Sequence, residues 1–362
     1  MQNLANYLEN SLSKNICKVS VVGHFAFGGL AADGQTVKTR TVFELVQDAC
    51  GSESVRAVDT YRWRQHPFSL IGRVIKSARS SEALIFLPAQ NGIKVFGPLM
   101  AALSRIFKCH TIYSVIGGWL PDYLNKRAAL ERVLKQIDIV LVETQLMADK
   151  LKERGFSNVR VIRNCKHLVR VKPVDQKNPE RNPIRLVYFA RVERIKGVED
   201  AIWAVSQANR IVKRYALDIY GRVGKDYAAD FNKYLQGCGD SAINYKGCID
   251  SCDSASVLDG AAALLFPTRY LGEGVPGSVI DAFCAGVPVI ASRWPSCSEV
   301  VIDGNNGLSY DFCNRDELLD ILLDDSLFIK LKAMKVQAYK SSEQYCYESG
   351  LESYRRLLKT IY

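Results

Sequence analysis

The sequence predicts an α/β protein built from two doubly wound domains that face each other across a cleft. Three observations carry this prediction. Short β-branched runs alternate with stretches of helical period, the mark of βαβ units around a parallel sheet. The alternation breaks once, at the polar, proline-bearing stretch 172–183 (KPVDQKNPERNP), and then resumes. The length, 362 residues, accommodates two domains at about 150 residues each.

Residues 18–22 (KVSVV) read as the first buried strand, which enters a glycine-containing loop at Gly23. Runs of the same kind follow at 83–87 (ALIFL), 111–116 (TIYSVI), 137–142 (IDIVLV) and 159–162 (VRVI), with helical-period stretches at 126–136 and 145–155. Beyond the linker come a strand at 184–190, a helix at 197–211 and strands at 217–220, 262–266 and 288–291. A short apolar helix at 279–285 separates the last two strands, and 303–307 (DGNNG) is a turn. This places an N-terminal domain at 1–172 and a C-terminal domain at 184–344. Ligands of doubly wound folds bind beyond the carboxyl ends of the strands, so the site is expected between the domains.

Hydrophobic residues make up 48% and charged residues 24%, which excludes a disordered, collagen-like or disulfide-scaffold chain. No apolar run approaches the roughly 20 residues of a membrane span, and the N-terminus lacks a basic start followed by an apolar stretch. A cytoplasmic protein is expected. Most of the 11 cysteines stand singly, and no histidine is near the Cys238, Cys248 and Cys252 group. His24, His66, His110 and His167 never pair at metal-ligand spacing, so no metal site is predicted.

The net charge is +10, and residues 1–170 hold 24 Lys+Arg against 13 Asp+Glu, so the first half carries +11 and the second −1. That asymmetry suggests an anionic partner: nucleic acid, a membrane face or a phosphate-bearing substrate. No nucleic-acid recognition motif or stacking-aromatic pattern accompanies it, so nucleic acid is not the expected partner. Arg56, Arg62, Arg64, Arg73, Lys76 and Arg79, interleaved with Trp63 and Phe68, are the candidate contacts to an anionic membrane surface.

The segment Gly272-Glu273-Gly274-Val275-Pro276-Gly277 formally matches G-x-G-x-x-G. Its glycines do not directly follow the strand, Pro276 stiffens the turn, and no acidic residue about twenty positions on ends a second strand, so it is not a dinucleotide fingerprint. Gly23-x4-Gly28-Gly29 lacks the Gly-Lys-Ser/Thr ending of a phosphate-binding P-loop. Glycine-rich backbone at a helix N-terminus nevertheless offers N–H groups and a positive dipole end to an anion. Arg191 ends the 184–190 strand, and Lys196-Gly197 opens the next helix, an arrangement suited to a diphosphate and also compatible with plain solvated surface. Glu199 and Asp200 in the first turn suit the helix dipole and need no functional role. Asp281 lies in a helix apolar on nearly every side; it lies on a solvated strip, caps a loop, or takes its donors from ligand hydroxyls. No Asp-x-Asp pair is present to hold a diphosphate through a cation.

ARVERIKGVEDAI and LGEGVPGSVIDAFCAGVPVIAS, with VVGHFAFGGLAADGQTVKT and YSVIGGWL in the first half, resemble the GT-B glycosyltransferases of the large retaining family 4. The likeness is to bacterial enzymes of capsule, exopolysaccharide or O-antigen synthesis. It implies two Rossmann-like domains, a nucleotide-sugar donor, and a glycan or polyprenyl-diphosphate-linked acceptor held at the cytoplasmic membrane face. It also implies that the C-terminal helix at 345–362 crosses back onto the first domain. Residue by residue, Arg191 and Lys196 would neutralise the departing diphosphate, and Glu273 would contact the donor sugar. Gly274, Val275 and Pro276 would line the donor, and Asp281 would bind the ribose. Gly28 and Gly29 would close over the diphosphate from the first domain, and Asn164 matches the asparagine that ends it. No cofactor or metal is implied.

Two departures stand out. The second acid of the Glu-x7-Glu element is Asp281, one methylene shorter, and Ile116-Gly117-Gly118 stands where many relatives place a histidine. His110 is at the start of that strand, leaving His24, Gly117 and Gly118 as candidates on the acceptor side. A catalytically silent sugar-nucleotide-binding subunit and a nucleotide-sugar epimerase on the same fold are the alternative readings.

Overall fold

A computed structural model of the protein describes residues 19–27, 34–167, 183–249 and 253–361. The first half folds in the order β1 (Val19–Gly23), α1 (Gly34–Cys50), β2 (Val55–Asp59), α2 (Pro67–Ser80), β3 (Ala83–Leu87), α3 (Ile93–Phe107) and β4 (His110–Ser114). It continues through α4 (Leu120–Tyr123), α5 (Ala128–Leu134), β5 (Ile139–Val142), α6 (Gln145–Glu153) and β6 (Val159–Val161). Its six strands form one parallel sheet in the order β2-β1-β3-β4-β5-β6.

The second half starts β7 (Ile184–Phe189), α7 (Val198–Val212), β8 (Tyr215–Tyr220), α8 (Ala228–Gly237), β9 (Ile243–Gly247), α9 (Ser254–Leu258) and β10 (Ala263–Phe266). Then follow α10 (Gly277–Cys284), β11 (Val289–Ser292), β12 (Gly307–Tyr310), α11 (Arg315–Leu323), α12 (Leu327–Ser341) and α13 (Tyr347–Lys359). The second sheet is also six-stranded and parallel, in the order β12-β11-β10-β7-β8-β9. The fold is therefore the doubly wound α/β pair that the alternation of runs predicts.

The central strands are apolar because helices cover both faces, and β3 (ALIFL) is buried along its whole length. On one face of the first sheet, α2, α3 and α6 pack Leu70, Val74, Met100 and Leu151 against Val22, Leu84 and Phe86. On the other, α1 packs together with α13, through Leu45, Val46, Tyr354 and Leu357. The chain thus returns from the second half to the first: Lys166 bridges to Cys346, and Tyr347 donates its hydroxyl to Asp48 at 2.8 Å. Gly350 is required there, since a Cβ would sit 2.3 Å from the Cys165 sulfur.

Strand order reverses between β1 and β3 in the first sheet and between β7 and β10 in the second. Those reversals open the crevices in which doubly wound folds bind ligands.

Candidate functional site

In the second half, β7 leads through Arg191 into a single 3-10 turn, Arg194–Lys196, before α7. Gly197 makes the junction with φ +73°, and a Cβ on it would lie 1.7 Å from the Pro267 carbonyl oxygen, so the chain after β7 presses directly on the chain after β10. Two further ties hold these loops together. Arg269 donates its backbone N–H to Ile195 at 2.9 Å, and its guanidinium grips Asp200 through Nε at 2.8 Å and Nη2 at 2.5 Å. Asp200 is buried at the start of α7, and its bonds push the Arg269 pKa up. It is an anchoring residue as well as a favourable charge at a helix N-terminus.

This clamp brings Lys196 to Glu273. The ammonium lies 2.5 Å from Glu273 Oε1 and above the Tyr270 ring, and the Thr268 hydroxyl donates to the same oxygen at 2.8 Å. Both contacts fall on Oε1; Oε2 takes neither. Glu273 is 8% exposed, more enclosed than a residue on an open loop. Arg191 is more than half exposed and pairs with Glu193 at 3.1 Å. The Tyr188 hydroxyl, its pKa raised by burial, spans the backbone oxygens of Arg191 and Lys196 at 3.1 and 3.3 Å. The cations thus sit at the carboxyl end of β7 with the N-terminus of α7 behind them, a geometry that favours an anion.

The first half contributes a wall. Gly118 donates its N–H to Gly272 at 2.8 Å. A Cβ on Gly118 would lie 2.2 Å from the Glu273 carbonyl oxygen, and Gly117 takes φ +81°. The glycines at this strand end therefore allow backbone to meet backbone, where a histidine at Gly118 would collide. Glu143, which directly follows β5, is buried and accepts from Lys38, from Gly117 N at 3.3 Å and from Val275 N at 2.9 Å. The Val275 amide is therefore engaged by this carboxylate. Gly274 leaves room for Glu143, since its Cβ would sit 2.1 Å from Oε2. Asn164 donates to the Val275 carbonyl at 3.1 Å. Glu299 reaches from the second half to the amides of Gln145 and Leu146, both at 2.7 Å, and so caps α6.

Pro276 stands at the N-terminal boundary of α10, whose first turn donates Val279 N–H to its carbonyl at 3.1 Å. Asp281 lies on that helix, 2% exposed, and so is not on a solvated strip. Lys166, from the first half, donates to both of its oxygens at 2.8 Å. Burial pushes the Asp281 pKa up, with Lys166 and then Ser254 pulling it back.

His24 lies apart from this group. Edge-on to Tyr61, it lines a cavity of about 160 Å³ with Thr60, Trp63, Pro88, Asn91 and Phe96, at the carboxyl ends of β1 and β3. Gly28 and Gly29 lie outside the described residues. The loop leading to them is fixed, with the amides of Phe25, Ala26 and Phe27 donating to the Asp59 carboxylate. Among the described residues, no group of three or more His, Cys, Asp or Glu side chains is placed to hold a metal ion.

Sequence reasoning missed Lys38, Glu143, Lys166, Arg269 and the anchoring role of Asp200. Each is one half of a pair whose partner lies far along the chain. Only the length of the apolar surroundings of Glu143 (IVLVE) hinted at a carboxylate needing a partner.

Residues 183–324 match the family described as Glycosyl transferases group 1. A glycogen synthase of Mycobacterium tuberculosis is 28% identical over 198 residues, 53% of this chain and 47% of the relative. An uncharacterized 41.2 kDa protein in the cps region of Klebsiella pneumoniae is 23% identical over 202 residues, 53% of each chain. The chain thus spans about half the length of the curated relatives it matches. Among solved structures, Anabaena Alr3699/HepE in complex with UDP and glucose superposes with a TM-score of 0.73 at 15% identity, covering 95% of this chain and 100% of that one. This likeness concerns the fold. Residues 183–324 are thus similar to the group 1 glycosyl transferases, and the two six-stranded parallel sheets have the GT-B fold.

Proposed function

We propose that this protein is a metal-independent glycosyltransferase of the retaining family 4 type, moving a sugar from a nucleotide-sugar donor to a glycan or lipid-linked glycan. The observation that carries the reading is the Lys196–Glu273 pair at the β7/β10 strand reversal, inside the segment that matches group 1 glycosyltransferases. Lys196 and Arg191 receive the diphosphate together with the N-terminus of α7. Glu273, oriented by Lys196 and Thr268, presents Oε2 to the donor sugar. Asp281 meets the ribose hydroxyls beside Lys166, since a carboxylate accepts more hydrogen bonds than one ammonium supplies. Residues 184–344 hold the donor, and residues 1–172 with the C-terminal helix hold the acceptor.

In the transfer step the bond from the anomeric carbon to the diphosphate oxygen breaks, and the acceptor oxygen bonds that carbon from the same face. The acceptor proton passes to the departing phosphate oxygen, so no histidine is required where Gly117 and Gly118 stand. Fixed positive charge stabilises the developing diphosphate in place of a divalent cation. Surface polysaccharide synthesis at the cytoplasmic membrane face is the proposed setting, supported by the relative in the cps region.

The test is turnover of nucleotide sugars by the purified protein, with and without a chelator. Release of nucleoside diphosphate unaffected by EDTA supports the reading. A donor that binds without turnover favours the second reading, a silent binding subunit, to which the glycines at 117 and 118 point. Interconversion of donor epimers without transfer identifies an epimerase.

A further inference from the structure

Between residues 60 and 121 the chain has eight Lys and Arg and a single acid, Glu82. The fold gathers most of these cations on one side. Helices α2 and α3 cover the same face of the first sheet and turn Leu70, Val74, Ile93 and Met100 inward. Their outward residues include Arg73, Lys76, Arg79 and Lys94, all exposed. Glu82 is at the amino end of β3, away from the strand ends that line the His24 cavity.

Apolar side chains project from the middle of this charge. Phe68, in the first turn of α2, is 88% exposed, and Val95, in the first turn of α3, is 43% exposed. Just before α2, Arg62 lies over the Tyr61 ring at 5.0 Å and Arg64 over the Trp63 ring at 5.7 Å. A cation-rich helix face bearing an outward aromatic ring has a definite preference: the ring enters an interfacial layer while the long cationic stems remain among anionic headgroups. A nucleic-acid backbone would satisfy the cations but offer nothing to Val95.

We infer that the outer face of α2, with residues 61–64 and the start of α3, docks on an anionic lipid surface, with Phe68 seated among the headgroups. Trp63 of this segment and Thr60 just before it line the His24 cavity, so docking brings the rim of that cavity to the lipid. Among the described residues no helix is long and apolar enough to cross a membrane. The inference extends the transferase reading by placing a lipid-linked acceptor at a named surface, and it is read out without turnover.

The experiment is co-flotation of the full chain with phosphatidylcholine vesicles, alone or mixed with phosphatidylglycerol, at low and high salt. Binding is expected to the mixed vesicles only and to weaken as salt rises. The double variant Lys76→Glu, Arg79→Glu should cut bound protein by about tenfold or more, since each charge near the surface counts. Phe68→Asp should also release the protein, while Phe68→Leu retains it; unchanged thermal melting shows that the variants fold. Equal partition into both vesicle types, no partition, or binding indifferent to both variants overturns the inference. So does a gel shift with nucleic acid in the absence of vesicle binding. Vesicle binding without turnover of any nucleotide sugar removes the transferase reading alone, and turnover without vesicle binding removes the docking surface alone.

Discussion

Lys166 crosses from the first half of the chain to the second and places its ammonium 2.8 Å from both carboxylate oxygens of Asp281. Asp281 is 2% exposed and the Lys166 side chain 16% exposed, so the pair is largely shut off from solvent. Removing one partner of such a pair leaves an uncompensated charge in the interior, which costs more than the pair itself contributes.

Lys166→Met should therefore destabilise the protein by about 3 kcal/mol at neutral pH, measured by urea unfolding. The pH dependence has a definite sign. Burial raises the Asp281 pKa in the fold and Lys166 lowers it, so the variant's Asp281 is raised further. A raised carboxyl pKa makes the native state the better proton binder above the ordinary Asp value, and stability falls as pH rises through that window. The deficit relative to wild type should be smaller at pH 5 than at pH 8, and Asp281→Asn in the Lys166→Met background should recover part of it. A deficit that does not vary with pH would count against a buried, paired Asp281.

Lys196→Ala should weaken binding of nucleoside diphosphates by about 1–3 kcal/mol, the range of a charge-assisted hydrogen bond, as read by titration calorimetry. Arg191, more than half exposed, should matter less in the same measurement because solvent screens it.

The Arg269–Asp200 clamp orients Lys196 without reaching the site itself. Arg269→Lys keeps the charge but loses the two-pronged grip on Asp200. It should lower kcat about tenfold or more through misplacement, with a smaller change in KM. Equal loss in a melting assay and in activity would reduce the clamp to a stabilising contact.

Gly118→Ala places a methyl group where the Glu273 carbonyl oxygen lies, 2.2 Å from the new Cβ. The 272–275 loop must then move, and turnover should fall while the second-half core (Leu186, Val198, Leu217) remains folded. Wild-type turnover in this variant would show that the glycine contact has no part in forming the site.

Much of this arrangement is visible in the sequence, and what is missing has a physical reason. Interior strands such as β3 and β10 are buried throughout and announce themselves as apolar runs. Strands β2, β9 and β12 lie at or toward the sheet edges, where the burial of VRAVD and INYKG is broken by exposed positions, so no apolar run marks them. Lys196 and Glu273 were legible because each follows a strand of one sheet at its carboxyl end. Lys38 and Glu143 are 105 positions apart, Lys166 and Asp281 are 115, and Arg269 and Asp200 are 69. Nothing local distinguishes such a lysine from one on a solvated face; only the tertiary fold supplies its partner, within the first half for Lys38 and from the second half for Lys166.

The most direct measurement of the proposed activity is nucleoside diphosphate release from a panel of nucleotide sugars by the purified full chain, beside Glu273→Gln. This substitution keeps the shape of the loop and removes the charge paired with Lys196. Because that pair is largely buried the melting temperature should fall, so turnover is compared below the variant's melting transition, where it is folded. The wild type is expected to consume at least one donor in the presence of EDTA, and the variant to lose about 100-fold or more in kcat, the scale seen when one oriented stabilising group is removed. Consumption of that donor by Glu273→Gln at the wild-type rate, or failure of the wild type to bind or consume any nucleotide sugar, would contradict a transferase site built on Lys196 and Glu273.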